Sequence, residues 1–191
     1  MMKSLSLLIA DDEALIRVDI KGMLERAGYR VCAECSNGIK AVELAKQQSP
    51  DLAILDIKMP GLDGLETAKI LHTLNIPTVM VTAYSQPQFL SRAENVYVCG
   101  YLVKPIFEQN LVATVRIAYA RWNDMQHMRQ ELAATKDRLE QQKWITHAKA
   151  VLVDYWNISA IEAHQRLVQE SMRQRLPLVE MAKLVISNGK I

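Results

Sequence analysis

The chain has 191 residues with a formal net charge of +2; 50% are hydrophobic and 23% charged, the balance of a soluble globular protein with room for one large domain or two small ones. This balance excludes a strongly basic nucleic-acid arm, and three cysteines, an odd number, exclude a fully paired disulfide framework and fit a reducing compartment. No apolar run approaches the length of a membrane span.

The apolar stretch before Ala10 runs straight into Asp11-Asp12-Glu13, where a signal peptide would need a cleavage site. A buried strand over Leu5–Ala10 is therefore expected, in a cytoplasmic protein. A helix over Ala14–Ala27 follows and stops at Gly28, a residue suited to the left-handed position past a helix end. Tyr29–Cys35 reads as a second strand, ended by Asn37-Gly38. Within it Cys32 and Cys35 form a C-x-x-C. On a strand, residues three apart face opposite ways, so a redox pair is not expected. His72, His127, His147 and His164 show no metal-ligand spacing either.

Ile39–Gln48 is helical in pattern and Leu52–Leu55 is a third strand. The loop Asp56–Gly64 carries two glycines and a proline, and a helix over Leu65–Leu74 follows. Pro77 precedes a fourth strand, Thr78–Thr82; a short helix near Pro87–Ala93 and a fifth strand near Gly100–Val103 complete the series. Strands alternating with helices predict an α/β doubly wound, five-stranded parallel sheet with helices on both faces.

From Ile106 to Trp156 there is neither Pro nor Gly, so one long helix is expected. Leu111, Ala118, Met125, Leu132 and Leu139 recur every seventh residue, a coiled-coil pattern that makes these residues and Trp122 candidates for a dimer linker. Val115 and Trp122 take the interleaved position, which passes to Arg129, Lys136 and Lys143; these charges would repel across a parallel pair and keep an unmodified dimer weak. The alternative is an amphipathic helix docked on its own domain. Beyond it, Ser159-Ala160-Ile161-Glu162 forms a capping box, Pro177 suits the first turn of a last helix and Gly189 its end. The expected organisation is an α/β domain over 1–120, a helical linker over 121–145 and an all-α three-helix bundle over 146–191. Ala163, Leu167 and Met172 read as bundle core.

In an open parallel sheet, ligands sit beyond the carboxyl ends of the strands. Asp11 and Asp12 follow the first strand, Asp56 the third, Thr82 ends the fourth, and Lys104 follows the fifth just before Pro105. Clustered carboxylates need a cation, and hard oxygen donors favour Mg²⁺. A carboxylate can attack phosphorus when a metal and cationic or hydroxyl donors stabilise the transferring group. One strand-end aspartate could merely cap a helix. Suitable residues at so many strand ends point to a site.

These residues, with Met59-Pro60-Gly61-Leu62-Asp63-Gly64 and Tyr101-Leu102-Val103-Lys104-Pro105, look like the receiver domain of two-component response regulators, which has a flavodoxin-like fold. The resemblance implies Asp56 as phospho-acceptor for a sensor histidine kinase. It also implies Mg²⁺ held by Asp12, Asp56 and the backbone carbonyl of Lys58, with Asp11 helping through water. Thr82 and Tyr101 match its switch pair, and Lys104-Pro105 its cis peptide.

The stretch containing Ala148-Lys149-Ala150, Ser159–Leu167, Ser171-Met172-Arg173 and Met181–Ile186 is similar to the ANTAR domain, a three-helix RNA-binding module of transcription antiterminators. Ala150 stands where that family often has Gly, and His164 where an aromatic is usual; an imidazole can still stack on a base. Residues 121–191 carry 11 Lys/Arg against 8 Asp/Glu, net +3, so RNA binding would rest on a local patch. Lys149, His164, Arg166, Arg173 and Arg175 are the candidate contacts. Phosphorylation is expected to promote a homodimer that binds nascent leader or terminator hairpins and causes antitermination. A DNA-binding helix-turn-helix and a protein-interaction module are the alternatives. No clustered nucleophile and base suggests an enzymatic output.

Overall fold

The computed structural model describes residues 4–83 and 98–188. The expected helix near Pro87–Ala93 and the end at Gly189 lie outside them. The chain divides into two compact units, one ending at Gln126 and the other starting at His127.

The first unit is built on β1 (Ser6–Ala10), β2 (Arg30–Cys35), β3 (Leu52–Asp56), β4 (Thr78–Thr82) and β5 (Val98–Val103). All neighbours pair in parallel, in the order β2-β1-β3-β4-β5. The order reverses beside β1, and crevices for ligands open at such a switch point. The helices of this unit are α1 (Ala14–Arg26), α2 (Gly38–Gln48), α3 (Gly64–Thr73) and the first part of α4 (Glu108–Trp156).

Strand alternation sorts the side chains into two cores. Leu8, Ala10, Ala53, Leu55 and Met80 pack with Ala41 and Ala45 of α2 and with Leu65, Ala68 and Leu71 of α3. Leu7, Ile9, Ile54, Val79 and Val81 meet Ile20 and Leu24 of α1 and Leu111, Val115 and Ala118 of α4. Each fully buried Leu or Ile contributes about 1.5–3 kcal/mol. Local signals set the ends of the elements. The side chains of Asn37 and Asp63 accept from the N–H groups of Lys40 and Glu66 and so cap α2 and α3. Past α1, Gly28 takes a φ of 86°. The fifth strand starts at Val98, earlier than the sequence pattern indicates.

A bulge corrects the simple alternation expected of β2. Leu7 pairs with Val31 and Leu8 with Ala33, so Cys32 is skipped. Val31 then packs on the α1/α4 side, whereas Ala33 and Cys35 pack on the α2/α3 side. Both thiols are free: Cys32 Sγ lies 3.3 Å from the Leu7 carbonyl and Cys35 Sγ 3.8 Å from that of Ile9.

The second unit joins the end of α4 to α5 (Ala160–Gln174) and α6 (Leu178–Asn188). Ala148, Leu152, Ala163, Leu167, Met181, Ala182 and Val185 form its core. The Ser159–Glu162 capping box starts α5. Pro177 sits one residue before α6, not inside its first turn, and its carbonyl accepts the Met181 N–H at 3.1 Å. Met172, expected in the core, is exposed. It lies five residues beyond Leu167, well round the helix from the apolar face, and half-buried Glu170 and Ser171 continue that face instead.

Candidate functional site

The parallel register brings the strand ends together. Ala10 pairs with Leu55, Asp56 with Val81 and Thr82 with Val103, so Asp11, Asp56, Thr82 and Lys104 converge at one mouth. Backbone bonds fix their heights: Lys104 N donates to Thr82 O at 2.8 Å, Ile57 N to Val81 O at 3.1 Å and Asp11 N to Cys35 O at 3.2 Å. The Lys104–Pro105 peptide is cis.

Asp11 and Asp56 are almost fully buried. The Lys104 ammonium lies 2.9 Å from Asp11 Oδ2, 3.0 Å from Asp56 Oδ1 and 3.2 Å from Glu13 Oε1. The second Asp56 oxygen, Oδ2, accepts from Lys58 N–H at 2.8 Å, while Asp11 Oδ1 accepts from Glu13 N–H at 2.9 Å. Burial pushes the Asp56 pKa up against the opposing pull of Lys104, and the Asp11 charge adds to the rise. Burial also works against the charge on Lys104, but hydrogen bonds and attraction from Asp11 and Asp56 outweigh it and raise its pKa. The ammonium therefore stays charged and shared.

One atom tests whether a hard cation fits. Asp11 Oδ2 is buried, lies 2.9 Å from the Lys104 ammonium and meets no other donor among the described residues. Ligand oxygens of Asp11, Asp12 and Glu13 lie within 4.8 Å of one another. An all-oxygen, acidic donor set with an underused buried oxygen suits a hard divalent cation such as Mg²⁺.

The loop after Asp56 is held by close backbone packing. A Cβ on Gly64 would collide with the Asp56 carbonyl, and Gly64 N–H donates to Ile57 O at 3.0 Å. Gly61 turns the loop with a φ of 80°. Thr82 and Tyr101 are both half-buried. The Tyr101 hydroxyl is buried with no hydrogen-bond partner among the described residues, and burial raises its pKa.

Two participants were not singled out from the sequence. Glu13 joins the Lys104 cluster, and Arg17 Nη1 donates to the carbonyls of Asp11 at 2.8 Å and Asp12 at 3.4 Å. Their signal was the spacing Glu13 to Arg17, one turn apart at the start of α1.

The basic candidates of the second unit are not one patch of free charges. Lys149 is half-buried and His164 exposed. The Arg166 guanidinium stacks 4.5 Å from the Trp156 ring centroid, and the Tyr155 ring lies 6.1 Å from that of Trp156. Arg173 is held by Glu170 through contacts of 2.8 and 2.6 Å. Arg175 ends α5 in the left-handed conformation, φ 55°. The adjacent aromatics Tyr155-Trp156 were the sequence signal for the Arg166 stack.

The proposed linker residues divide between two environments. Leu111 and Ala118 are fully buried in the core of the first unit and Trp122 is 4% exposed, its ring 5.3 Å edge-on from that of His72. These three cannot belong to an intermolecular seam. Met125 is half-buried, and Leu132 and Leu139 are exposed.

Residues 7–116 match the response regulator receiver domain family, and residues 133–186 the ANTAR domain family. The chain is 35% identical over 180 residues to the transcriptional regulatory protein PdtaR of Mycobacterium tuberculosis, covering 94% of this chain and 88% of that protein. Among solved structures it resembles the signal receiver domain of a modulated diguanylate cyclase from Desulfovibrio desulfuricans G20, with 32% identity, a TM-score of 0.60 and coverage of 63% of this chain and 98% of that one. It also resembles the REC domain of AraT from Geobacillus stearothermophilus, with 30% identity, a TM-score of 0.58 and coverage of 65% and 99%.

Proposed function

Because the chain belongs to the response regulators, with a receiver domain followed by an ANTAR domain, we propose that Asp56 takes a phosphoryl group from a partner histidine kinase and that the C-terminal module binds nascent RNA to cause transcription antitermination. The protein is a signalling regulator, not an enzyme. No helix among the described residues is long and apolar enough to cross a membrane. The proposed site of action is the cytoplasm, where kinase and transcript meet. The proposed domains are 1–120, 121–145 for the linker, and 146–191.

The observation that carries this reading is the shared ammonium of Lys104 between Asp11 and Asp56. An Asp56 oxygen forms the new P–O bond as the P–N bond of the kinase phosphohistidine breaks and its electron pair leaves with the imidazole. Lys104 then turns from the carboxylate to a phosphoryl oxygen, and Thr82 supplies a hydroxyl from the neighbouring strand end. Mg²⁺, held by Asp12, Asp56 and the Lys58 carbonyl with Asp11 behind it, would neutralise the developing phosphoryl charge. Tyr101, whose buried hydroxyl lacks a partner among the described residues, is the companion of Thr82 in the switch.

Phosphorylation is proposed to favour a homodimer, which raises the effective concentration of a second RNA-binding module for a two-part target. Against a DNA-reading output, Met181, Ala182 and Val185 of α6 are buried in the module's own core, leaving little of that helix for a major groove. Crosslinking and sequencing of nucleic acid bound to the phosphorylated protein tests the reading. Recovery of RNA supports it; recovery of DNA, or of no nucleic acid, replaces it with one of the two alternatives.

A further inference from the structure

Residues 127–144 of α4 are exposed without a break. Most helical stability in a protein comes from packing an amphipathic face, and this stretch packs none of its own, so a partner face would stabilise it. Its apolar residues are not evenly scattered. Met128, Leu132 and Leu139 are all more than half exposed, and Met125 precedes them half-buried. Together with Thr135 and Gln142 they step by three and four residues: 125, 128, 132, 135, 139, 142. That is the two-position seam of a heptad, with Met125, Leu132 and Leu139 at one core position and Met128, Thr135 and Gln142 at the other.

This frame displaces Arg129, Lys136 and Lys143 from the seam to its flank. In a parallel pair, a flanking residue meets the opposite flank of the partner helix five residues further along the sequence. Glu131 therefore faces Lys136 of the second copy, and Asp124 faces Arg129 in the same way. Arg138 meets Lys143, the one like-charged match. In an antiparallel pair the flank Arg129, Lys136 and Lys143 would face itself, cation against cation. The Thr135 hydroxyl already donates to the Glu131 carbonyl at 2.8 Å, so its methyl group can face the seam without an unmet donor. On the outward side, Asp137 and Gln141 bond one another at 3.0 Å.

From this pattern we infer that α4 pairs with a second copy of this chain as a parallel, in-register coiled coil over residues 124–143, selected by Glu131–Lys136 pairing between copies and held weak at its C-terminal end by Arg138 against Lys143. The inference rests on the dimer reading above and specifies its orientation and register. The seam is three heptads long with polar residues at two of its six core positions, so it aligns a dimer more than it drives one.

The test is sedimentation equilibrium of the full chain treated with acetyl phosphate. Glu131→Lys should weaken the dimer about tenfold, because each dimer turns two attractive matches into repulsive ones. Adding Lys136→Glu should restore it, and Arg138→Glu alone should tighten it several-fold. A loss of folding cannot produce a tighter dimer, so Arg138→Glu keeps the test decisive. If the wild type stays monomeric under the phosphodonor, the dimer reading itself fails. If the wild type dimerises but the three variants share its dissociation constant, dimerisation stands and this seam is wrong.

Discussion

Lys104 Nζ lies 3.0 Å from Asp56 Oδ1 and 2.9 Å from Asp11 Oδ2, so two buried carboxylates on neighbouring strands share one ammonium. The arrangement holds acids together that would otherwise repel, and it keeps a cation beside the proposed nucleophile. It also makes the stability of the mouth depend on charge balance, and the first three predictions follow from that dependence.

Asp56→Asn should accept no phosphoryl group from acetyl phosphate, since an amide is not a nucleophile. Mass spectrometry of intact wild type and variant checks this. Burial raises the pKa of Asp56, so the folded state holds the proton more tightly than the unfolded state. Ionised Asp56 therefore costs stability, and the cost appears as pH rises above the ordinary carboxyl range, about 4. In metal-free buffer the variant should melt at or above the wild-type temperature at pH 7, the difference closing toward pH 4. A variant that is less stable at pH 7 than at pH 4, relative to wild type, contradicts the assignment.

Lys104→Met removes the common partner of Asp11, Glu13 and Asp56. The expected loss at neutral pH is about 3 kcal/mol, the scale of a buried pair broken on one side. Millimolar Mg²⁺ should then stabilise the variant more than the wild type, because the acids have no other cation. Denaturant unfolding with and without Mg²⁺ measures both effects; equal stabilisation of the two proteins would speak against a cation site at this mouth.

Asp12→Ala should weaken Mg²⁺ binding and slow phosphorylation while leaving the fold intact, since Asp12 is exposed. Calorimetric titration with Mg²⁺ reads the first effect and phosphodonor kinetics the second. Phosphorylation of the wild type at full rate in excess chelator would remove the metal from the scheme.

Gly64→Ala places a methyl group against the Asp56 carbonyl at the start of α3. Relief requires α3 or the end of β3 to shift, at about 1–3 kcal/mol or more. A lower unfolding midpoint together with slower phosphorylation is expected, because the same shift moves the Asp56 backbone. A neutral result in both measurements would show that the loop adapts.

Arg166→Ala and Arg173→Ala should each lower RNA affinity and flatten its salt dependence if they touch phosphates. They should differ in stability. Arg166 leaves an uncovered Trp156 and costs about 0.5–1 kcal/mol, whereas Arg173, itself exposed, loses only its surface pair with half-buried Glu170. Unchanged RNA affinity and salt slope in the double variant would return both residues to ordinary helix-surface roles.

Several features were legible before any fold was known. Apolar runs such as Leu5–Ala10 and Leu52–Leu55 mark strands buried on both faces, because only such strands can spend consecutive apolar residues. The cap at Ser159 was legible for a similarly local reason, because a side chain satisfies N–H groups two or three residues away, whereas the caps at Asn37 and Asp63 emerged with the structure. The strand-end acids, Thr82 and Lys104 could be gathered into one mouth because a parallel sheet aligns its carboxyl ends.

The rest depended on which surface each residue meets, and that is not local. A repeat of seven from Leu111 to Leu139 cannot tell burial inside a chain from burial between chains, since both select the same helical stripe. Packing against the sheet claimed Leu111 and Ala118, burial beside His72 claimed Trp122, and Leu132 and Leu139 were left uncovered. The face of Met172, the skipped Cys32, the stack of Arg166 on Trp156 and the strap from Arg17 to Asp11 were decided in the same way. Sequence spacing determines which residues share a side of an element. Only the tertiary structure decides what lies opposite that side, because the partners arrive from distant segments whose approach depends on the packing of the whole unit.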